Sequence, residues 1–385
     1  SVSRGLGDVY KRQITAQTNF GNGYPERNIQ TGGFSYKYDK CDMHSNPEAI
    51  AAQETYLRDL VKHTNPYTGL AYKDDPSIVG FEINNEPCHS GTKEEVKAYI
   101  NRMLKSMSKA GNRKPVFYNV SHNGYVAEAY YETTVQGTTY QWYPIGLVSG
   151  QTQQGNFLPY VDRYDIPFAG KVKEFNKKAR MIYEFDPADI MYSYMYPAMV
   201  RTFRTAGFQW ITQFAYDPID LAFANTEYQT HFLNLAYTPN KAISMKIAAE
   251  AARSLKRGES YGSYPQDTIF GNGFRVSYAE DLSELNNGEK FYYSNQTNTP
   301  PKDASKLVSI AGCGSSPIVD YEGTGAYFID CLESGVWRLE VMPDAVVVND
   351  PFAKPSLKKE VVSIIYGTWD MACLLYTSDA ADDGE

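Results

Sequence analysis

The sequence predicts an α/β region followed by a smaller all-β module. Short β-rich runs alternate with amphipathic helical patterns from about Ile14 to Lys256, and from about Gly258 short apolar runs are separated by clusters of Gly, Pro, Asn and Asp. The chain has 385 residues, of which 42% are hydrophobic and 14% aromatic, a balance that excludes disorder. Alternation of strands with helices predicts a parallel sheet, either open and doubly wound or closed as a (β/α) barrel.

Six strands and six helices are predicted in the α/β region. Asn46-Pro47 begins one helix, Thr92 with Glu95 forms a capping box for the next, and the last carries Ile243, Ile247 and Leu255. The other helices are expected near 125–132, around Val172 and from about Pro197. The predicted strands are Ile14–Phe20, Ser77–Asn84, Pro115–Val120, Thr138–Tyr143, Arg180–Phe185 and Gly207–Phe214.

The later part of the chain reads as a β-sandwich. Runs such as FRVSY, KFYYSN, GAYFIDCL and EVVSIIYG recur at roughly regular spacing with turn residues between them. No internal repeat is evident.

Charge and cysteine content exclude several classes of function. A net charge of −8 without a long Lys/Arg run gives no electrostatic reason to bind nucleic acid, and no apolar stretch is long enough to predict a membrane span. No strand is followed by a Gly-rich phosphate-binding motif, and no cysteine pair has metal-ligand spacing, so neither a cofactor nor a metal is predicted. Cys41, Cys88, Cys313 and Cys331 are expected to be buried free thiols, with a Cys313–Cys331 disulfide as the alternative.

Both ends of the chain resemble translated sequencing adapters. Residues 3–13, SRGLGDVYKRQ, and residues 373–382, CLLYTSDAAD, back-translate into stretches that are largely reverse complements of each other, as adapters flanking one insert would be. We therefore expect residues 1–13 and 373–385 to be non-native and to make few contacts. The predicted domains are a barrel domain over 14–256 and a β-sandwich domain over 257–372, which may be cut short by the adapter.

The strongest candidate for chemistry is the segment IVGFEINNEPCHS, residues 78–90. Asn85 and Glu86 follow a buried strand, and the carboxyl ends of parallel barrel strands are where such folds carry active sites. The alternative is a solvated turn acid. A second glutamate, Glu184, lies near the end of another apolar strand in ARMIYEFDPAD, where the alternative is a strand-end salt bridge. Two opposed carboxyl groups are the requirement for glycosidic cleavage.

With these motifs, the sequence resembles the clan of retaining (β/α)8 glycoside hydrolases. The stretch HTNPYTGLAYKDDPSIVGFEINNEP is similar to mannanase- and cellulase-type members, and GFQWITQF is closer to β-galactosidase-type members. The resemblance implies Glu86 as the acid/base on strand four, Glu184 as the nucleophile on strand seven, and Asn85 as the partner of the sugar 2-hydroxyl. A carboxyl separation of about 5 to 5.5 Å is expected for a retaining enzyme.

The same resemblance suggests substrate-binding residues. It places a tyrosine hydrogen-bonded to the nucleophile at Tyr143 and an aromatic subsite floor at Trp210, although either could instead be a packing residue. His122, Asn123 and His89 are candidate subsite donors. Glu82 is expected in a buried ion pair inside the barrel, and Asp186 is the acid most easily mistaken for the nucleophile.

The resemblance also implies that part of the barrel is missing. Only one strand precedes the acid strand, so the first two βα units of an eight-stranded barrel are absent, and the fold expected is an incomplete TIM barrel followed by a β-sandwich. We expect a retaining β-glycosidase acting on poly- or oligosaccharides, inactive in this incomplete form, with a carbohydrate as its partner and no cofactor. The alternative is a non-catalytic glycan-binding protein. The sequence itself does not reveal a location, and the resemblance implies a secreted or periplasmic one.

Overall fold

The computed structural model describes residues 12–15, 37–120, 124–367 and 370–374. The chain divides into two compact units. Of the described residues, unit A comprises 12–15, 37–120, 124–141 and Ile166–Tyr183, and unit B comprises Trp142–Asp165, 184–367 and 370–374. These limits differ from the predicted domain limits, which stay predictions.

A six-stranded sheet forms the α/β region, and its strands are neighbours in chain order from β1 to β6. The pairs β1/β2, β2/β3 and β3/β4 are parallel. The strands are β1 (Arg12–Thr15), β2 (Ile78–Glu82), β3 (Val116–Val120), β4 (Gly137–Trp142), β5 (Ala179–Phe185) and β6 (Trp210–Ile211). The predicted fold class, an incomplete (β/α) barrel followed by a β-rich region, is confirmed.

Seven α-helices, counted over the described residues, lie between these strands or follow them. They are α1 (Pro47–Lys62), α2 (Lys93–Lys109), α3 (Ala127–Tyr131), α4 (Leu158–Val161), α5 (Tyr196–Thr205), α6 (Ile219–Ala222) and α7 (Pro239–Ser254). The predicted helix starts are confirmed at two of them. Asn46 Oδ1 accepts hydrogen bonds from the amides of Glu48 and Ala49, and Thr92 and Glu95 form the reciprocal capping box of α2.

Close strand packing explains one glycine of the sheet. Gly137 begins β4, and a Cβ atom there would lie 2.8 Å from the carbonyl oxygen of Ala179 and 2.3 Å from the ring of Phe117. Any larger residue would therefore displace the backbone of β5, so this position favours glycine.

Two predicted elements are wrong in extent or type. The strand predicted over 207–214 is reduced to β6, because Gly207 has a φ of +87° and its amide donates to the carbonyl of Arg204, which makes it the C-terminal turn of α5. The helix predicted around Val172 is replaced by isolated turns and a 3-10 turn over Phe175–Lys177. Gly170 within that stretch raises the cost of a helix.

The described parts of the adapter-like segments lie in strands. Arg12 and Gln13 form half of β1 and pair with β2, while Cys373 pairs with Val319. For these residues the expectation of few contacts is wrong, because backbone pairing depends little on side-chain identity. The other residues of both segments lie outside the described residues, as do 16–20 of the first predicted strand.

The β-rich region contains a seven-stranded sheet in the order β14-β13-β11-β10-β9-β8-β7. All neighbouring pairs of this sheet are antiparallel except β10/β11, which is parallel. Its strands are β7 (Ile269–Phe270), β8 (Phe274–Ser277), β9 (Leu282–Asn286), β10 (Lys290–Tyr293), β11 (Ser309–Gly312), β13 (Tyr327–Glu333) and β14 (Val336–Val341). Two smaller antiparallel pairs accompany it, β12 (Val319–Tyr321) with β17 (Met371–Cys373), and β15 (Asp344–Val347) with β16 (Val362–Ile365).

One hydrophobic core joins the large sheet to the β12/β17 pair. Leu282, Phe291 and Ile310 of the sheet pack in the same buried cluster as Val319 and Tyr321 of β12. In β12 the burial alternates, with Val319 and Tyr321 buried in this core and Asp320 exposed.

In the described part of the chain, no helix is both long and apolar enough to cross a membrane. Among the same residues, no group of three or more His, Cys, Asp or Glu side chains is placed to hold a metal ion.

A buried charge cluster lies inside unit B. Lys241 of α7 is buried, its Nζ donates to the carbonyl of Ile190 at 3.1 Å, and burial lowers its pKa against the opposing effect of the carboxylates Asp186, Asp217, Asp189 and Asp281. Burial raises the pKa of Asp217 to about 7 and that of Asp281 to about 6.

A cluster of aromatic side chains packs around Phe203 in unit B. The ring of Phe203 on α5 is buried, and its centroid lies 5.2 Å from that of Phe185, 5.5 Å from Tyr164 and 5.6 Å from Trp142. This cluster links α5 to the ends of β4 and β5, which carry candidate site residues.

We predict that Phe203→Ala lowers the free energy of unfolding by about 3 to 5 kcal/mol, because it leaves a cavity among these rings. Chemical denaturation followed by tryptophan fluorescence measures the change. Tyr366→Ala is the control, because that side chain is 88% exposed and its loss should cost less than about 0.5 kcal/mol. Equal effects of the two substitutions would contradict the packing role.

We also predict that Asp217 makes stability fall as pH rises. Its folded pKa of about 7 exceeds the unfolded value of about 3.9, so the folded state holds the proton more tightly and this contribution is lost as pH rises through 7. Between pH 6 and 8, Asp217→Asn should flatten the pH dependence of the unfolding midpoint, whereas the exposed control Asp220→Asn should not. An unchanged slope in Asp217→Asn would refute the assignment.

Candidate functional site

The loop after β2 holds Glu86 in an unusual backbone conformation. Its φ is +48°, in the left-handed region that non-glycine residues rarely adopt. The amide of Glu86 donates to Oδ1 of Asn119 at 2.9 Å, and Asn119 is buried on β3, where its Nδ2 donates to Oγ1 of Thr139 at 3.1 Å. Such a conformation persists only where surrounding contacts enforce it, and in proteins these residues cluster at functional sites.

Among the described residues, Gln141 and Lys40 contact the Glu86 carboxyl group. Gln141 Nε2 donates to Oε1 at 3.1 Å, and Lys40 Nζ lies 3.3 Å from Oε2. The Glu86 side chain remains 32% exposed, so it is accessible to a ligand. Neither partner is predicted from the sequence. Gln141 could have been, because it lies two residues before Tyr143 and alternate residues of a strand share a face.

A disulfide between Cys41 and Cys88 fixes the same loop. The two Cα atoms are 4.8 Å apart although the residues are 47 positions apart in sequence. The prediction of four buried free thiols is therefore wrong, and so is the alternative pairing, because Cys313 and Cys331 are free. Spacing along the chain could not reveal a pair made by folding. The bond joins the neighbour of Lys40 to a residue two positions beyond Glu86.

Asn85 lies beside Glu86 with its amide oxygen already engaged. Tyr183 donates its hydroxyl hydrogen to Asn85 Oδ1, and Gln141 Nε2 lies 3.4 Å from the same atom. Glu82 is buried on β2, and its Oε1 accepts from Thr139 Oγ1 at 2.5 Å.

His89 is an interior residue. It is 5% exposed, its Nε2 lies 2.6 Å from the hydroxyl oxygen of Tyr118, and its ring packs 4.4 Å from that of His44. Burial, together with the proximity of His44, lowers the pKa of His89 to about 2. A neutral histidine enclosed in this way contributes to packing, so its predicted role as a sugar donor has no accessible surface to support it.

Glu184 is positioned by β5 and by a tyrosine from the preceding strand. Glu184 is the penultimate residue of β5 and is half-buried. Tyr143 follows the last residue of β4 directly, and its hydroxyl donates to Glu184 Oε2 at 2.8 Å. A carboxylate that accepts such a bond is oriented and stabilised in its charged form.

Asp186, two residues further on, is in a different environment. It is fully buried, and it accepts hydrogen bonds from Tyr196 at 2.7 Å and Gln213 at 3.2 Å, while His231 Nδ1 lies 3.0 Å from Oδ2. Burial acts to raise its pKa, but the charge of Lys241 and the hydrogen bonds outweigh it and hold the pKa below the ordinary value. Asp186 is thus an ionised interior carboxylate with no exposed surface.

The remaining candidates are placed as follows. Trp210 lies on β6, half-buried, and its Nε1 donates to Thr212 Oγ1 at 2.5 Å. Its role as a subsite floor stays a prediction. His122 and Asn123 lie outside the described residues. Of the candidate residues, Asn85 and Glu86 belong to unit A, and Tyr143, Glu184 and Trp210 to unit B.

Comparison with known proteins finds glycoside hydrolases. No protein-family model matches the chain. A 64-residue stretch is 31% identical to mannan endo-1,4-beta-mannosidase 3 of Arabidopsis thaliana, and the match covers 16% of this chain and 16% of that enzyme. The chain therefore matches only a small part of this curated relative.

Two solved structures superpose on part of the chain at low identity. The endo-1,4-beta-mannanase of Rhizomucor miehei superposes with a TM-score of 0.41 and 19% identity, covering 55% of this chain and 64% of that one. The endo-beta-1,4-mannanase of Thermotoga petrophila superposes with a TM-score of 0.44 and 14% identity, covering 79% and 73%.

Proposed function

We propose that the chain belongs to a retaining β-glycoside hydrolase that cleaves poly- or oligosaccharides with two glutamates. The observation that carries the proposal is the 2.8 Å hydrogen bond from the Tyr143 hydroxyl to Glu184 at the end of β5. It gives a half-buried carboxylate one fixed donor, as a carboxylate nucleophile needs. The strained, anchored backbone of Glu86 is the second support.

In the proposed reaction, Glu184 attacks the anomeric carbon and forms a glycosyl-enzyme ester. Glu86 gives its proton to the departing glycosidic oxygen as the bond to the anomeric carbon breaks. Glu86 then accepts a proton from a water molecule, whose oxygen replaces Glu184 at the anomeric carbon, and both carboxyl groups return to their starting states. Inversion occurs twice, so the product keeps the β configuration.

The other residues have supporting roles in this proposal. Tyr143 orients Glu184, Asn85 binds the sugar 2-hydroxyl, and Trp210 stacks on an apolar sugar face. Gln141 holds one Glu86 oxygen, and Lys40 contacts the other. No metal or cofactor takes part in any of these steps.

We further propose that turnover needs a closed barrel. Within the described residues the sheet has six strands, whereas a closed barrel of this class has eight. Activity is therefore to be measured in a full-length parent protein, beside the chain as printed. A secreted or periplasmic parent is also proposed, and the Cys41–Cys88 disulfide supports it because such bonds persist in oxidising compartments.

We predict that Glu184→Ala abolishes hydrolysis of aryl β-glycosides by the parent protein, because the nucleophile is gone, and that azide restores part of the turnover by occupying the vacated space. A panel of β-mannoside, β-glucoside and β-galactoside substrates gives the rates and identifies the preferred sugar. Glu174→Ala, at an exposed glutamate, is the control and should be fully active. Normal turnover by Glu184→Ala would show that Glu184 is not the nucleophile, whereas glycan binding without turnover in the unsubstituted parent would favour the glycan-binding alternative.

We predict a different profile for Glu86→Gln. Loss of the general acid should lower kcat/KM for substrates with poor leaving groups by about 10²-fold to 10⁴-fold but spare kcat/KM for those whose leaving group needs no proton, while kcat falls for the latter too because Glu86 also activates the water of the second step. Rates on substrates graded by leaving-group pKa measure the difference. Proton NMR of the first product of the unsubstituted protein should show the β-anomer. An α-anomer would indicate inversion, and an equal fall in kcat/KM for every substrate would argue against acid catalysis by Glu86.

A further inference from the structure

His231 is a buried histidine surrounded by aromatic rings of unit B. It is 1% exposed, and its ring centroid lies 5.1 Å from Phe214, 5.2 Å from Tyr143 and 5.4 Å from Tyr228. Burying a polar imidazole costs free energy unless its nitrogens are satisfied. Such a residue is retained where its ring and its hydrogen bonds both matter.

One nitrogen of His231 is fixed by Asp186. The distance from Nδ1 to Asp186 Oδ2 is 3.0 Å, and Asp186 is ionised because its pKa lies below the ordinary value, with burial opposed by Lys241 and by its hydrogen bonds. An ionised carboxylate only accepts hydrogen bonds, so Nδ1 carries the proton and donates it. Within the described residues, Nε2 of His231 has no hydrogen-bond partner. The orientation of the ring is therefore set by Asp186 alone among polar groups.

Tyr143 connects His231 to Glu184. The Tyr143 ring packs against the His231 ring at an interplanar angle of 35°, and the Tyr143 hydroxyl donates to Glu184 Oε2. Glu184 and Asp186 are themselves only two residues apart at the end of β5. These four side chains therefore form one connected group. Asp186 orients His231, the His231 ring packs against the Tyr143 ring, and the Tyr143 hydroxyl donates to Glu184.

We propose that His231 is a positioning residue for the nucleophile, acting through Tyr143. The inference rests on the proposed function, in which Glu184 attacks the sugar. His231 touches neither the sugar nor the reacting atoms. Its ring limits the movement of the Tyr143 ring and so keeps the hydroxyl directed at Glu184, and misplacement of a catalytic group by about 1 Å can cost about 10²-fold in rate.

A double-substitution cycle in the full-length parent protein tests this. His231→Asn keeps a donor near the position of Nδ1 but removes the ring, and it should lower kcat about 10-fold with KM unchanged within about twofold. Tyr143→Phe should lower kcat by about 10-fold to 100-fold. In the double variant the loss should equal that of Tyr143→Phe alone, because His231 acts only through the Tyr143 hydroxyl.

A second variant separates positioning from folding. His231→Phe keeps the ring against Tyr143 but removes the donor to Asp186, so we expect lower thermal stability with kcat within about threefold of the unsubstituted protein. A purely structural role predicts that kcat follows stability in every variant. The control is His63→Asn, since His63 is an exposed histidine whose ring packs against Tyr72 at 5.0 Å, and this variant should keep full activity.

The outcomes separate this proposal from the proposed function. Unchanged kcat in His231→Asn, or losses that multiply in the double variant, would overturn the positioning role while Glu184→Ala remained inactive. Full activity of Glu184→Ala would instead overturn the proposed function itself.

Discussion

The buried ammonium group of Lys241 interacts electrostatically with several carboxyl groups in the interior of unit B. Lys241 is enclosed with carboxylates that belong to segments far apart in sequence: Asp186 follows β5, Asp217 follows β6, and Asp281 lies in the turn between β8 and β9. Neutralising several buried carboxylates with one cation is favourable only in a fixed geometry, because any carboxylate left without a partner pays a large desolvation penalty. The charge of Lys241 favours the ionised form of Asp186, which lies at the end of β5 two residues beyond Glu184.

In unit A, the Glu86 loop is restrained by a covalent bond and by a hydrogen bond. The Glu86 loop is fixed by the amide bond to Asn119 on one side and by the Cys41–Cys88 disulfide on the other. A left-handed backbone at a glutamate costs of order 1 to 3 kcal/mol and needs such support. The result is a carboxyl group whose direction is decided by the rigid strand β3 rather than by a mobile loop, which favours preorganisation.

Sequence patterns predict the parts of this structure that depend on local order. The apolar runs predict β2 to β5 to within two residues at either end, and the cap residues predict the starts of α1 and α2, because strand burial and helix capping are properties of neighbouring residues. The motif around Glu86 and the YQWYP segment identify candidate residues. Lys40 and His231 could not be found in this way, since each meets its partner only after distant segments have packed, whereas strand alternation with Tyr143 could have identified Gln141. The turn at Gly207 shows the converse, where a local helix end overrides an apolar run.

Two acids at the end of β5 illustrate how environment rather than identity assigns chemistry. Glu184 and Asp186 lie two residues apart, and either could be a nucleophile by residue type. Asp186 has its two oxygens engaged by Tyr196, Gln213 and His231 and has no exposed surface, so it cannot approach a sugar. Glu184 is half-buried and accepts the Tyr143 hydroxyl. Asp186 is ionised, with Lys241 stabilising its charge, so the proton of His231 lies on Nδ1. Asp186 thereby orients the His231 ring, which packs against Tyr143, the donor to Glu184.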